Sequence, residues 1–190
     1  MEKTQIEVCV ACARWRAATR GSYPRGGDCQ RDRAKSGFKR GTEDRMRAVV
    51  QRVLNASVSV GGRRVGEIEQ GLLVLVGFAE GDGRDEMEWM AAKVRGLRIF
   101  SDSEGRMNLD VGQVGGAMLV VSQFTLYGDV SRGRRPSFVG AAEPDEARRL
   151  YDEFVEVCRG GVVPVATGEF GARMEVSLLN DGPVTLVVER

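Results

Sequence analysis

The apolar run Leu72-Leu73-Val74-Leu75-Val76-Gly77-Phe78 limits the fold of this 190-residue chain more than any other stretch. Without polar alternation, and rich in branched side chains, it suits a strand buried on both faces. The fold must therefore supply apolar cover on each side of it. Upstream, Ala48 to Val53 reads as a strand, and Ala56 to Val60 as another with Ala56, Val58 and Val60 on one face. Gly61-Gly62 is a two-residue hairpin signal, and Val65 to Ile68 is the returning partner. Further strands are expected at Ala117 to Tyr127, Val162 to Ala166, Met174 to Leu179 and Val184 to Glu189.

Two stretches carry helical spacing instead. Asp85 to Gly96 sets Met87, Met90, Ala91 and Val94 on one stripe, with acids in the first turn and Lys93 and Arg95 near the end. Pro144 to Arg159 does the same with Ala147, Leu150, Tyr151, Phe154, Val155 and Cys158. Leu97 to Phe100 and Met107 to Leu109 flank Asp102-Ser103-Glu104-Gly105, which reads as a hairpin turn, since the twelve-residue ligand pattern of a calcium loop is absent. Many antiparallel-looking strands with two helices predict an α+β domain, a curved, barrel-like and mainly antiparallel sheet with both helices packed outside it.

The domain begins at Met46. Residues 1–45 hold 11 basic and 6 acidic side chains, net +5, against 17 basic and 21 acidic, net −4, for residues 46–190. They also carry Cys9, Cys12 and Cys29 and no sustained period after about Ala18, so they read as a mostly disordered extension or as a product of a start codon assigned too early. Three thiols without a nearby fourth ligand do not make a closed zinc site. Glu2 and Glu7 argue against a transit peptide, and no secretory signal is present. With Cys158 alone in the domain, these features suggest a reducing cytoplasm. No apolar run approaches the ~18 residues of a membrane span.

Histidine is absent from the whole chain. That excludes Ser-His-Asp and Cys-His nucleophile pairs and the HExxH zinc site, and removes the usual neutral-pH general base. Four stretches nevertheless depart from the pattern of their elements. In Met118 to Tyr127, alternation places Gln123, Thr125 and Tyr127 on one face and Ser122, Phe124 and Leu126 on the other; a strand end surfacing polar residues explains this as readily as a site does. Asn180-Asp181-Gly182-Pro183-Val184-Thr185 reads as a turn between strands whose X-Pro bond is open to either isomer. Thr167 to Met174 is a glycine-punctuated loop holding Phe170 and Met174. Arg132-Gly133-Arg134-Arg135-Pro136-Ser137-Phe138 is a solvated basic loop or a phosphate contact.

Taken together, Met46-Arg-Ala-Val-Val-Gln-Arg-Val53, Ser122-Gln-Phe-Thr-Leu126, Gly133-Arg-Arg-Pro-Ser-Phe138 and Asn180-Asp-Gly-Pro-Val-Thr185 resemble the D-aminoacyl-tRNA deacylase family, in order and across residues 46–190. The resemblance implies a homodimeric, cytoplasmic hydrolase for translational proofreading. Its substrates would be esters of a D-amino acid, or glycine, with the terminal ribose of tRNA. By the same resemblance Gly182-Pro183 is cis and reaches into the partner's active site, where its carbonyls hold the substrate ammonium and an L side chain collides. Gln123 and the backbone at Phe124 and Thr125 polarise the ester carbonyl. Ser122, Phe138, Phe170 and Met174 line the substrate and adenosine pocket.

No cofactor or metal is implied, and the partners are the tRNA acceptor end and a second copy, with no DNA and no membrane. Arg132, Arg134 and Arg135 are candidates for phosphate contacts, few of which are needed if recognition stops at the acceptor end. Without histidine, a nucleophilic Thr125 would need Asp129, Glu169 or Asp181 as base; direct attack by water, helped by the ribose 2′-hydroxyl, is the preferred reading. The rivals are a deacylase of relaxed chirality and a non-catalytic module that binds RNA ends.

Overall fold

The computed structural model describes residues 46–190, so the readings of the basic stretch and its three cysteines lie outside the described residues. The apolar run forms β3 (Gly71–Gly77), and both of its faces are covered. Leu72, Val74 and Val76 enter a layer with Met87, Met90 and Val94 of α1 (Arg84–Arg95) and Leu150, Phe154 and Cys158 of α2 (Pro144–Arg159). Leu73, of opposite parity, packs in a second layer with Val58, Ile68, Leu119 and Val121.

β1 (Arg47–Val60) is the spine of the sheet. One edge pairs antiparallel with β3 and then with β2 (Arg63–Ile68); the other pairs with β8 (Met174–Glu189). The two strands expected at Ala48–Val53 and Ala56–Val60 are one. Register shifts on either side of Val53 let Ala48 and Val50 face the helices while Ala56 and Val58 face the second layer. An extra residue reverses the inward parity without ending a strand, which alternation alone reads as a break. Gly61 and Gly62, at φ 56° and 79°, make the expected hairpin turn.

The sheet is mainly antiparallel, as expected, but two of its pairings are parallel. β6 (Ala117–Ser122) runs parallel to β3, and β7 (Val165–Thr167) parallel to β6. Parallel neighbours require long crossovers, and α1 and α2 belong to the two that are present. Between β3 and β6 the chain also forms the expected acidic hairpin, β4 (Phe100–Ser101) against β5 (Met107–Leu109). A Cβ built on Gly66 of β2 would sit 2.2 Å from the Thr167 carbonyl oxygen at the end of β7. The outer strands thus approach each other, and the sheet is nearly closed into a barrel. Among the described residues no helix is long and apolar enough to cross a membrane.

Asp82, buried after β3, accepts the amide hydrogens of Ala79 at 2.8 Å and Met46 at 3.1 Å. Burial outweighs both bonds and raises its carboxyl from 3.8 to about 6. Between those values the folded chain holds a proton that the unfolded chain releases. Stability should therefore decline by roughly 2–3 kcal/mol as pH rises through that window, then level off. Urea unfolding across this range checks the prediction, and Asp82→Asn should flatten the decline.

Candidate active site

β6 stops at Ser122 because the chain tightens into a 3-10 turn, Phe124–Tyr127. The Gln123 amide still donates to the Val76 carbonyl at 2.7 Å, continuing the parallel ladder, but Leu126 N then bonds Gln123 O at 3.3 Å and Gly128 N bonds Thr125 O at 3.0 Å. The alternation expected through Tyr127 is therefore overturned. Tyr127 is buried, its hydroxyl donating to Gly77 O at 3.3 Å, while Phe124 and Thr125 are exposed. The reason is local: a tyrosine reaching back to β3 and a glycine after it favour a turn that period-two patterning does not register.

Gly77 permits this close fold. A Cβ there would lie 2.9 Å from both Gln123 O and the Tyr127 ring. From β1, the Arg47 guanidinium stands 4.8 Å from the centroid of the same ring, donates from Nη1 to Leu126 O at 3.1 Å and pairs with Glu189 at 3.2 Å. The turn is thus braced on two sides. Its first amides, those of Phe124 and Thr125, precede the first hydrogen bond within the turn, so they are available to an external acceptor. The Gln123 side-chain amide donates to Thr125 Oγ1.

A cavity of about 590 Å³ opens beside this turn. Ser122, Gln123, Phe124, Phe138, Phe170 and Met174 all line it, so residues from three separate motifs meet in one place. Phe124 and Phe138 touch edge to face at 5.1 Å. Phe170 leans on Tyr151 at 5.7 Å and is capped by Arg148, whose guanidinium lies 5.0 Å from its centroid and donates to its carbonyl at 3.3 Å. Gly168 makes room for the Met174 sulfur, which a Cβ would approach to 2.6 Å. Glu143, at the start of α2, supplies the cavity's one ionisable side chain among the described residues.

Thr125 is not among the lining residues. Nor are Arg132, Arg134 and Arg135, which project from a loop closed by paired backbone bonds between Asp129 and Ser137, at 2.8 and 2.9 Å. All three are exposed and make no ion pair among the described residues. The candidate bases are committed elsewhere. The Ser131 amide and hydroxyl hold the Asp129 carboxyl below its usual range, Glu169 pairs with Arg63 at 3.2 Å, and Asp181 pairs with Arg52 at 2.8 Å. No group of three or more His, Cys, Asp or Glu among the described residues stands where it would hold a metal ion. Cys158 is free and buried, and burial pushes its thiol up to about 12.

Gly182 and Pro183 lie outside the cavity, exposed, and joined by a cis peptide bond. The turn expected there does not reverse the chain. Gln51 pairs with Thr185 and Val53 with Asn180, so opposite the lone Arg52 the strand β8 bulges outward through Asp181 to Val184 and then continues along β1. Proline has no amide to give the ladder, which suits a bulged segment. The Asn180 side chain closes the base, donating to Arg52 O at 2.9 Å and Val184 O at 3.2 Å.

Arg52 lies outside the four stretches that depart from the pattern of their elements. It is buried, donates to Ile99 O, pairs with Asp181, and its Nη2 would stand 2.9 Å from a Cβ on Gly182. Its charge falls between Val50 and Val53 in a stretch that reads as a strand, and that is the signal the sequence carries.

A family model described as D-Tyr-tRNA(Tyr) deacylase matches residues 49–189. The chain is 60% identical over 144 residues to a D-aminoacyl-tRNA deacylase of Desulfatibacillum aliphaticivorans, covering 76% of this chain and 99% of that one. It is 54% identical over 144 residues to one of Thermosipho africanus, covering 76% and 97%. The solved structure of the c-Myc DNA unwinding element binding protein superposes with a TM-score of 0.72 at 40% identity, over 76% of this chain and 98% of that one. A probable eukaryotic D-amino acid tRNA deacylase gives 0.65 at 20% identity, over 77% and 100%, a likeness of fold. Matched over most of its length, and covering its curated relatives almost end to end, the chain belongs to the D-Tyr-tRNA(Tyr) deacylase family of hydrolases acting on aminoacyl-tRNA esters.

Proposed function

We propose that this protein hydrolyses the ester between a D-amino acid, or glycine, and the terminal ribose of tRNA, rejecting L-aminoacyl-tRNA by steric exclusion. The observation that carries this reading is the single cavity into which Ser122 to Phe124, Phe138, Phe170 and Met174 converge. Its aromatic walls suit the terminal adenosine, and its rim at the 3-10 turn offers amides to an ester carbonyl. The Gly182-Pro183 dipeptide is exposed and outside that cavity, which supports a homodimer in which each copy's dipeptide enters its partner's site. There its carbonyls would accept hydrogen bonds from the substrate ammonium and leave no space for an L side chain.

In the proposed reaction the ester oxygen takes hydrogen bonds from the Phe124 and Thr125 amides, with Gln123 beside them, and water attacks the carbon. The ribose 2′-hydroxyl relays a proton from the water to the departing 3′-oxygen, so no side chain need titrate. The Thr125 hydroxyl accepts a hydrogen bond from Gln123 and has no basic partner among the described residues, which argues against a nucleophilic role. Thr125→Ala should therefore lose far less than the ~10²-fold that removal of a nucleophile's activation brings. A trapped aminoacyl-Thr125 would contradict this.

The exposed Arg132, Arg134 and Arg135 suit phosphate contacts near the acceptor end. Neutralising all three should raise KM alike for every tRNA, since backbone contacts carry no sequence; a strong dependence on tRNA identity would show that the loop reads bases. The cytoplasm is the compartment this reading implies. Initial rates on D-Tyr-tRNA, Gly-tRNA, L-Tyr-tRNA and L-Ala-tRNA test the whole assignment. D-Tyr-tRNA and Gly-tRNA should be cleaved and both L esters spared. Equal rates on D-Tyr and L-Tyr esters would point to relaxed chirality, and binding without cleavage to a non-catalytic module.

A further inference from the structure

Phe170 has a second side. Across it from the cavity lies a groove of about 290 Å³ between α2 and β7, lined by Arg148, Asp152, Glu156, Arg159 and Thr167 as well as Phe170 itself. The four charged residues follow at spacings of four, four and three, which puts them on one helix face. Arg159 and Glu156 neutralise each other at 3.0 Å. Arg148 spends one nitrogen on Phe170 O and keeps its other donors free, while Asp152 is exposed and has no ion pair or hydrogen bond among the described residues.

Two arginines alone would suggest a phosphate site. Two carboxylates on the same stripe oppose that, because a phosphate would face as much repulsion as attraction. A neutral ring carrying both donors and acceptors on one edge meets the groove better. A base splayed from a single strand pairs in this way, stacking on aromatic or guanidinium planes while its edge bonds to polar side chains.

Resting on the function proposed above, we propose that this groove binds the cytosine of the nucleotide preceding the terminal adenosine. The Phe170–Arg148 stack separates the two bases, the cytosine lies on the outer face of the guanidinium, and its 4-amino group donates to Asp152. Cytosine presents that donor to a carboxylate, whereas uracil presents an oxygen in its place. The enzyme would then require the invariant end of its substrate and remain indifferent to the rest of the tRNA.

The test uses three esters of one D-amino acid, on adenosine, on the dinucleotide CpA and on UpA, with the full chain. KM for the CpA ester should lie about tenfold below that for the UpA ester, the scale of one good base-edge contact. Asp152→Ala should bring that ratio close to one. Asp152→Asn, which adds a donor for the uracil oxygen, should narrow it by improving the UpA ester.

Equal KM for CpA and UpA in the parent chain, or a ratio that survives Asp152→Ala, would overturn the proposal while leaving hydrolysis of the adenosine ester, and so the proposed function, intact. A lower KM for both dinucleotides in Asp152→Ala would overturn it in favour of a phosphate site. If D-Tyr-tRNA is cleaved and none of the three esters is, recognition reaches beyond the last two nucleotides and this inference is overturned; if D-Tyr-tRNA is spared as well, the proposed function is overturned with it.

Discussion

Gly182→Ala should lose D-aminoacyl-tRNA hydrolysis by about 10²-fold while the protein stays folded. At φ +116° an L residue is strained, and the added methyl would meet Arg52 Nη2 and Val184 Cγ2, both at 2.9 Å. The Arg52 side chain is buried and tied to Ile99 and Asp181, so the dipeptide must move instead. A displacement near 1 Å at a substrate-positioning group costs on that scale. Single-turnover rates on D-Tyr-tRNA measure the effect, and the melting temperature should change little because the bulge is exposed. Near-parental rates would mean that Gly182 does not position substrate.

The largest loss of stability should follow Gly71→Ala. Gly71 pairs with Ala117 where β3 and β6 run side by side, and its missing Cβ would lie 1.9 Å from Ala117 O and 2.8 Å from Ala117 N. Both are backbone atoms, so no side chain can rotate away; the strands must part at the centre of the sheet. Overpacking of this kind costs about 3 kcal/mol, or roughly 10 °C in Tm for a domain of this size. Gly81→Ala is the control, since its Cβ meets nothing within 4 Å and only the positive φ opposes it. Equal melting temperatures for the two variants would contradict the packing described for β3.

The buried strand, the two helices and the Gly61-Gly62 hairpin follow from local rules of burial, helical spacing and turn chemistry, and the structure contains them all. The parallel pairing of β3, β6 and β7 does not follow, because strand direction depends on what each crossover packs against.

The site divides in the same way. Ser122, Gln123, Phe124, Phe138, Phe170 and Met174 stand out as rule-breaking motifs and converge on one cavity. The form of that convergence is set by distant partners. Arg47, 79 residues before Leu126, clamps the 3-10 turn. Arg52, 130 positions before Gly182 in the chain, supports the dipeptide from the neighbouring strand. Alternation along Met118–Tyr127 gave no sign of either.

The central claim is that two copies build each site, one giving the cavity and the other the dipeptide. Mixing Gly182→Ala protein with Gln123→Ala protein, each expected to be strongly impaired alone, tests it directly once the subunits have exchanged. A mixed dimer of the two variants has one site with an intact Gln123 turn and an intact partner dipeptide. D-Tyr-tRNA hydrolysis should therefore recover to about a quarter of the parental rate in an equimolar mixture, half of whose dimers are mixed. If each copy used its own dipeptide, every site in the mixture would lack one part, and activity would stay at the level of the separate variants.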